Sequence, residues 1–384
     1  MSTPGLNKIY NGRMNLADGG LGSTLEDILN FKIAHTPLWS TRAAADDEKS
    51  QLLIEAHLLF LRAGARTLLT STYQAAFNTF EREGYSRDDA LKIISKAVEI
   101  AAQARSRFRA ENENAQPHEI HITLSLGTFG STVVPMQDFE GIYPPPYGPK
   151  AYSDTEENTT SFGNDTEGRE KSIQALSAFH AERLMAYTEM PEAWDLIDCI
   201  AFETIPVARE VTAIRRAVTT VSAALQEKGM RMKPWWITAV FPDGQCPETR
   251  FPGGDHISPK EIAALMIQDE VNGQGNPLAT PSGIGINCTA VEYLHELLDK
   301  FKQACDQTIG EGGEWPWLII KPNGGGGAQN GQWSDNMETT LDEAQGQGWG
   351  GMVVGGCCKA GPDDIGRLAS KLDSQTGKQL VEST

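Results

Sequence analysis

Several protein classes are excluded by what the 384-residue chain lacks. It has no cluster of Lys and Arg. Its 33 basic side chains face 51 acidic ones, a formal charge of −18, which argues against nucleic acid as a partner. No apolar stretch approaches the ~18 residues of a membrane span, and the first twenty residues, MSTPGLNKIYNGRMNLADGG, contain no apolar core of a signal peptide. Six cysteines are too few for a disulfide framework, and a chain of this length buries enough core to need none. None of the seven histidines shows HExxH or HxH spacing, apart from an isolated HEIH at 118–121. GLGSTL (20–25) lacks the third glycine of a dinucleotide fingerprint, and glycines 324–327 are not followed by the Lys-Ser/Thr of a P-loop. What remains is an acidic globular protein expected in the cytoplasm, acting on small molecules. Nothing in the sequence sets its oligomeric state.

What is present is an alternation. Eight short apolar runs recur: LADGG (16–20), RTLLTSTY (66–73), HITLSLG (121–127), DCIAFE (198–203), WWITAVF (235–241), GIGINC (283–288), WLIIKPN (317–323) and GMVVGGCC (351–358). Most are continuous and rich in Val, Ile and Leu, as expected for strands buried on both faces. Between them the period becomes helical. Ser86 with Asp89 reads as an N-terminal cap ahead of Leu91, Ile94, Val98 and Ala101. Thr289 with Glu292 has capping-box spacing. Pro206 introduces Val207, Val211, Ile214 and Val218, and Pro362 introduces Ile365, Leu368 and Leu372. Eight strand–helix units predict a closed (β/α)8 TIM barrel, an α/β fold, with a doubly wound open sheet as the alternative. One domain over 1–384 is expected, its core spanning about 14–371. Two segments interrupt the repeat, 131–169 after strand three and the glycine-rich PNGGGGAQNGQ (322–332) after strand seven. The first reads as a lid or a partly disordered insertion, the second as a flexible loop.

In such a barrel the reacting groups sit at the C-terminal ends of the strands. Those ends carry Asp18, the segment Thr70 to Gln74, Glu203, Cys288, Lys321 to Asn323, and the adjacent Cys357 and Cys358. A single cysteine at a strand end is commonly packing. The adjacent pair is harder to dismiss, because neighbouring strand residues point to opposite faces and share a target only where the strand breaks. Gly355-Gly356 permit that break. A disulfide between adjacent cysteines would be strained. Three thiolates and an open fourth position suit a catalytic zinc site. An ion so rich in negative ligands activates water poorly, but keeps a substrate thiol deprotonated and nucleophilic. Asp18 and Glu203 read either as a helix cap and a surface acid, or as a pair holding an ammonium group. The amides of the Gly19 to Gly22 turn could receive a carboxylate. Thiol, ammonium and carboxylate together describe an amino-acid thiol.

DGGLGSTLE (18–26), TSTYQAAF (70–77), FETIP (202–206), GINC (285–288), PNGG (322–325) and GGCCKAGPDDI (355–365) resemble the homocysteine S-methyltransferase family in order and spacing. The resemblance implies a zinc-dependent barrel enzyme that methylates homocysteine to methionine, with Cys288, Cys357 and Cys358 as the zinc ligands and catalytic centre. It implies that Asp18 and Glu203 hold the substrate ammonium, that amides near Gly19 and Leu21 take its carboxylate, and that Tyr73 borders the methyl-donor side. The implied partners are small molecules, homocysteine and a sulfonium donor such as S-methylmethionine or S-adenosylmethionine. Two other readings stay open: another thiol or selenol as acceptor, such as selenocysteine, and a non-catalytic zinc or thiol sensor. Two segments depart from the family pattern. Lys321 stands where a Tyr is usual, and DFEGIYPPPYGP replaces a Glu-Tyr-Thr-Gly-like turn. An inward cation at 321 would repel a sulfonium, so Lys321 is expected to face solvent or to pair with an acid.

Overall fold

A computed structural model describes residues 5–10, 14–34, 36–112, 120–271, 275, 277–310, 312–325 and 330–382. Eight strands form one sheet: β1 (Met14–Leu16), β2 (Thr67–Leu69), β3 (His121–Gly127), β4 (Cys199–Ile205), β5 (Trp235–Ala239), β6 (Gly283–Asn287), β7 (Trp317–Lys321) and β8 (Met352–Val354). Six fall within the apolar runs, β4 extends two residues past DCIAFE, and β1 precedes LADGG and shares only Leu16 with it. Every pairing between them is parallel, in the order β1-β8-β7-β6-β5-β4-β3-β2. The ring closes between β1 and β2 at the Ala17–Thr67 bridge. There the Arg66 N–H donates to Leu16 O at 2.7 Å and the Asp18 N–H to Thr67 O at 3.0 Å. Closure excludes the doubly wound alternative.

Eight principal helices follow the strands: α1 (Asp47–Arg62), α2 (Arg87–Glu111), α3 (Thr166–Thr188), α4 (Ala208–Glu227), α5 (Pro259–Ile267), α6 (Leu294–Thr308), α7 (Asn330–Ala344) and α8 (Pro362–Glu382). Among the described residues no helix is long and apolar enough to cross a membrane. Local sequence explains where the helices start. The Ser86 hydroxyl accepts the Asp89 N–H at 3.2 Å, and the Asp89 carboxylate accepts the Ser86 N–H at 3.3 Å, so the expected cap of α2 is present in both halves. The expected box at Thr289 is absent. Its hydroxyl accepts the Phe241 N–H at 3.0 Å and donates to Asn287 O at 3.1 Å, tying the end of β6 to the chain leaving β5. A short 3-10 turn, Val291–Tyr293, leads into α6 instead.

The strands are apolar on both faces because they separate two cores. Along β4, Ile200 and Phe202 pack in the large cluster shared with the helices. The alternate residues Cys199 and Ala201 join Ala17, Leu69, Trp236, Ile319 and Val353 in a smaller cluster inside the ring. The same alternation carries Trp317, Ile319 and Lys321 of β7 inward, and Glu203 of β4 with them. Polar residues therefore cap an apolar plug at the C-terminal mouth.

The loop after β3 is shorter than the sequence suggested. A 3-10 turn fills Phe129–Thr132 and α3 begins at Thr166. The intervening chain is tied down. The Tyr143 hydroxyl donates to Glu210 Oε2 at 2.7 Å, Arg209 donates to Thr160 O at 3.0 Å, and Ser161 Oγ donates to Arg250 O at 2.8 Å. It is not a disordered insertion. Of the segment 322–332, residues 326–329 lie outside the described residues, and α7 already begins at Asn330.

Candidate active site

The sulfur side of the mouth is built where strands end. Cys288 follows β6 with φ of 50°, the left-handed region that few non-glycine residues enter, and this turns it out of strand geometry. Past β8, the Gly356 N–H donates to Asp18 O at 3.0 Å and the Cys357 N–H to Pro322 O at 2.7 Å, so the break at Gly355-Gly356 is held by β1 and β7. The sulfurs of Cys288, Cys357 and Cys358 lie within 4.8 Å of one another. Cys288 is buried, Cys357 half-buried and Cys358 exposed. Cys288 and Cys357, 5.3 Å apart at Cα, are joined as a disulfide, and Cys358 is free. The sequence had considered a disulfide only between the adjacent pair. The bond instead joins the ends of two strands, and on reduction it returns three thiols to one place.

Hydrogen-bond donors face these sulfurs. Asn287 Nδ2 lies 3.5 Å from Cys288 Sγ and 3.8 Å from Cys357 Sγ, and Thr204 Oγ1 lies 3.7 Å from Cys288 Sγ. Asn287 and Thr204 fix each other. The Thr204 N–H donates to Asn287 Oδ1 at 2.8 Å, and Asn287 Nδ2 donates to Thr204 Oγ1 at 2.7 Å. Thr204 has φ of 61°, a strained value for a β-branched residue. Donors aimed at sulfur stabilise thiolate over thiol, as outer-shell partners of a metal site do. Three converging soft ligands backed by such donors fit a metal ion.

The acid side is built from buried side chains. Asp18 is fully buried. Its Oδ2 accepts the Leu69 N–H at 2.8 Å, while Oδ1 accepts no hydrogen bond and lies 3.9 Å from Lys321 Nζ. Burial pushes its carboxyl up to about 7, against the pull of Lys321. Glu203 Oε2 accepts from Ser125 Oγ at 2.9 Å and Oε1 accepts from Lys321 Nζ at 3.1 Å. Asp18 is therefore not a helix cap, nor Glu203 a surface acid. Lys321, 4% exposed, faces the barrel interior and pairs with both acids rather than with solvent.

The remaining residues lie around these two sides. The Gly20 N–H, between the two amides of Gly19 and Leu21 that the resemblance names, donates to Ala360 O at 2.8 Å. A Cβ at Gly19 would collide with Ala360 O, so only glycine lets the β1 turn approach the loop after β8 this closely. Tyr73 packs its ring against Gly127, and its buried hydroxyl accepts and donates no hydrogen bond. Burial raises its phenol above the ordinary value, with Asp138 adding to the effect. Asp138, from the unusual loop after β3, is itself pushed up to about 6 by burial. Sequence reasoning missed Asn287, Thr204, Ser125 and Asp138. The first two sit inside GINC and FETIP, beside residues it did select.

The chain is similar to known proteins along nearly its whole length. The profile of the family described as homocysteine S-methyltransferase matches residues 15–372. Homocysteine S-methyltransferase 2 of Zea mays is 27% identical over 380 residues, covering 96% of this chain and 93% of the relative. Selenocysteine Se-methyltransferase of Brassica oleracea var. italica is 25% identical, covering 94% and 89%. Among solved structures, the homocysteine methyltransferase MmuM from Escherichia coli in its metallated form has the same fold, with a TM-score of 0.64 at 22% identity, covering 95% of this chain and 99% of that one. An oxidized form of MmuM superposes equally well.

Proposed function

The chain belongs to the homocysteine S-methyltransferase family, and on that premise we propose that it transfers a methyl group from a sulfonium donor, S-methylmethionine or S-adenosylmethionine, to the thiolate of L-homocysteine, giving methionine. The observation that carries this reading is the convergence of Cys288, Cys357 and Cys358 at the barrel mouth, opposite the acids of β1 and β4. Residues 1–384 are read as one catalytic domain. The three cysteines, reduced, would hold zinc(II), which lowers the proton affinity of an acceptor thiol so that it stays nucleophilic at neutral pH.

The protein's own residues do the rest. Asn287 and Thr204 orient and hydrogen-bond the cysteine sulfurs. Asp18 Oδ1, buried without a hydrogen-bond partner, would receive the substrate ammonium, with Glu203 beside it. The amides of Gly19 and Leu21 would take the carboxylate, which fixes the thiol toward the sulfur side. Tyr73, with Asp138 nearby, would line the donor side, where an aromatic face and a carboxylate suit a cationic sulfonium. In the transfer an acceptor S–CH3 bond forms as the donor S–CH3 bond breaks. The electron pair goes to the departing neutral thioether, and the acceptor's proton has already gone to solvent. Alignment of acceptor and donor supplies much of the acceleration.

A selenol acceptor is the second reading, favoured by the similarity to the selenocysteine enzyme. Purified, reduced, zinc-loaded protein offered homocysteine and selenocysteine with each donor separates the two. Methionine is the expected main product. Methylselenocysteine formed in preference would replace the first reading with the second.

A further inference from the structure

We propose that Lys321 determines acceptor specificity: by occupying Glu203 it leaves a substrate ammonium only the carboxylate of Asp18, so the acceptor class extends to thiols that carry a carboxylate but no amino group. This rests on reading the mouth as a thiol-methylating site. Lys321 is the third inward residue of β7, after Trp317 and Ile319, and its stem has no route to solvent. Its Nζ lies 3.1 Å from Glu203 Oε1 and 3.9 Å from Asp18 Oδ1, the position an amino-acid ammonium would need in order to touch both acids. Of the four carboxylate oxygens, Glu203 Oε1 is taken by Lys321, Glu203 Oε2 by Ser125 and Asp18 Oδ2 by the Leu69 N–H. Asp18 Oδ1 alone accepts no hydrogen bond, with Lys321 Nζ 3.9 Å away.

An incoming ammonium therefore gains one charge-assisted contact and meets a like charge across it. Like charges a few ångströms apart in a buried site repel strongly. The amino group is thus worth less here than in a pocket where both acids are free. A tyrosine at position 321 would carry no such charge. The thiol and carboxylate ends of an acceptor do not depend on Lys321, so an acceptor without the amino group loses little.

The test is calorimetric titration of the reduced, zinc-loaded protein with L-homocysteine and with 4-sulfanylbutanoic acid, which is the same chain without the amino group. For the wild type the two dissociation constants are expected within about tenfold of each other. In Lys321→Met the preference for homocysteine is expected to rise by at least about tenfold, the value of one hydrogen bond to a charged group. The constant for 4-sulfanylbutanoic acid should stay unchanged. Lys321→Tyr, which keeps a donor for Glu203 without the charge, should move the ratio the same way and serves if the Met variant does not fold. A wild-type preference for homocysteine above about a hundredfold would overturn the proposal, as would an unchanged ratio in the folded variants. Methyl transfer assayed alongside judges the parent reading separately. If both thiols bind with the expected ratio but neither is methylated, the methyltransferase reading falls and the role of Lys321 stands. If neither thiol binds, both fall.

Discussion

On the sulfur side of the mouth, Cys288, Cys357 and Cys358 sit where the chain has left its strands, and the backbone itself aims them: a left-handed φ at Cys288, two glycines before Cys357. On the acid side, Lys321 ends β7 and Glu203 lies within β4, and side chains meeting across the barrel hold them in place. The first is aimed by backbone at two strand ends and runs from the buried Cys288 to the exposed Cys358. The second joins residues 118 positions apart and is almost wholly buried. A buried ion pair cannot lose one partner without leaving the other's charge uncompensated.

If that contrast is right, substitutions on the two sides should fail in different ways. The largest effect is expected from Cys288→Ala. It should lose bound metal and all methyl transfer while its far-ultraviolet circular dichroism stays that of the folded barrel. Stoichiometric zinc with full activity in this variant would break the account of the sulfur side. Asn287→Ala removes donors from two sulfurs and should weaken zinc affinity by about 10–100-fold, as outer-shell changes do, measured by competition with a chelator.

Acid-side variants should keep their metal and lose substrate instead. Asp18→Asn is expected to weaken homocysteine binding about tenfold or more by calorimetry, and Glu203→Gln by less, because Lys321 already occupies Glu203. The same side should respond to pH. With the Asp18 carboxyl pushed up to about 7 by burial, its ionised, ammonium-binding form dominates only above that value. Affinity for methionine, whose sulfur does not titrate, should therefore fall as pH drops from 8 to 6. Asp18→Asn should be flat over that range. The smallest effect lies away from both sides. Ser86→Ala removes the cap of α2 and should cost about 1 kcal/mol in denaturant unfolding, with metal content and substrate affinity unchanged.

Legibility in the sequence followed the same division. The eight strands were readable because runs such as DCIAFE and WLIIKPN are apolar without interruption, and the Ser86 cap because its partner is three residues away. The sulfur cluster was readable because three cysteines stood at two strand ends. Continuous apolarity, however, hides which face of a strand looks inward. The inward position of Lys321 followed from Trp317 and Ile319 only once the inner cluster was visible. Thr289 misled for a related reason: a capping-box spacing is local, but its hydroxyl was claimed by Phe241, 48 residues away. Asn287 and Thr204 act through each other across the mouth, 83 residues apart, a pairing that no local pattern announces.

The central claim is that the mouth passes a methyl group to the sulfur of homocysteine. It is tested most directly by incubating reduced, zinc-loaded protein with homocysteine and S-methylmethionine or S-adenosylmethionine carrying an isotopically labelled methyl group, followed by mass spectrometry of the products. The account predicts labelled methionine from at least one donor, absent in Cys288→Ala. Homocysteine bound at the mouth with no labelled methionine from either donor would contradict it.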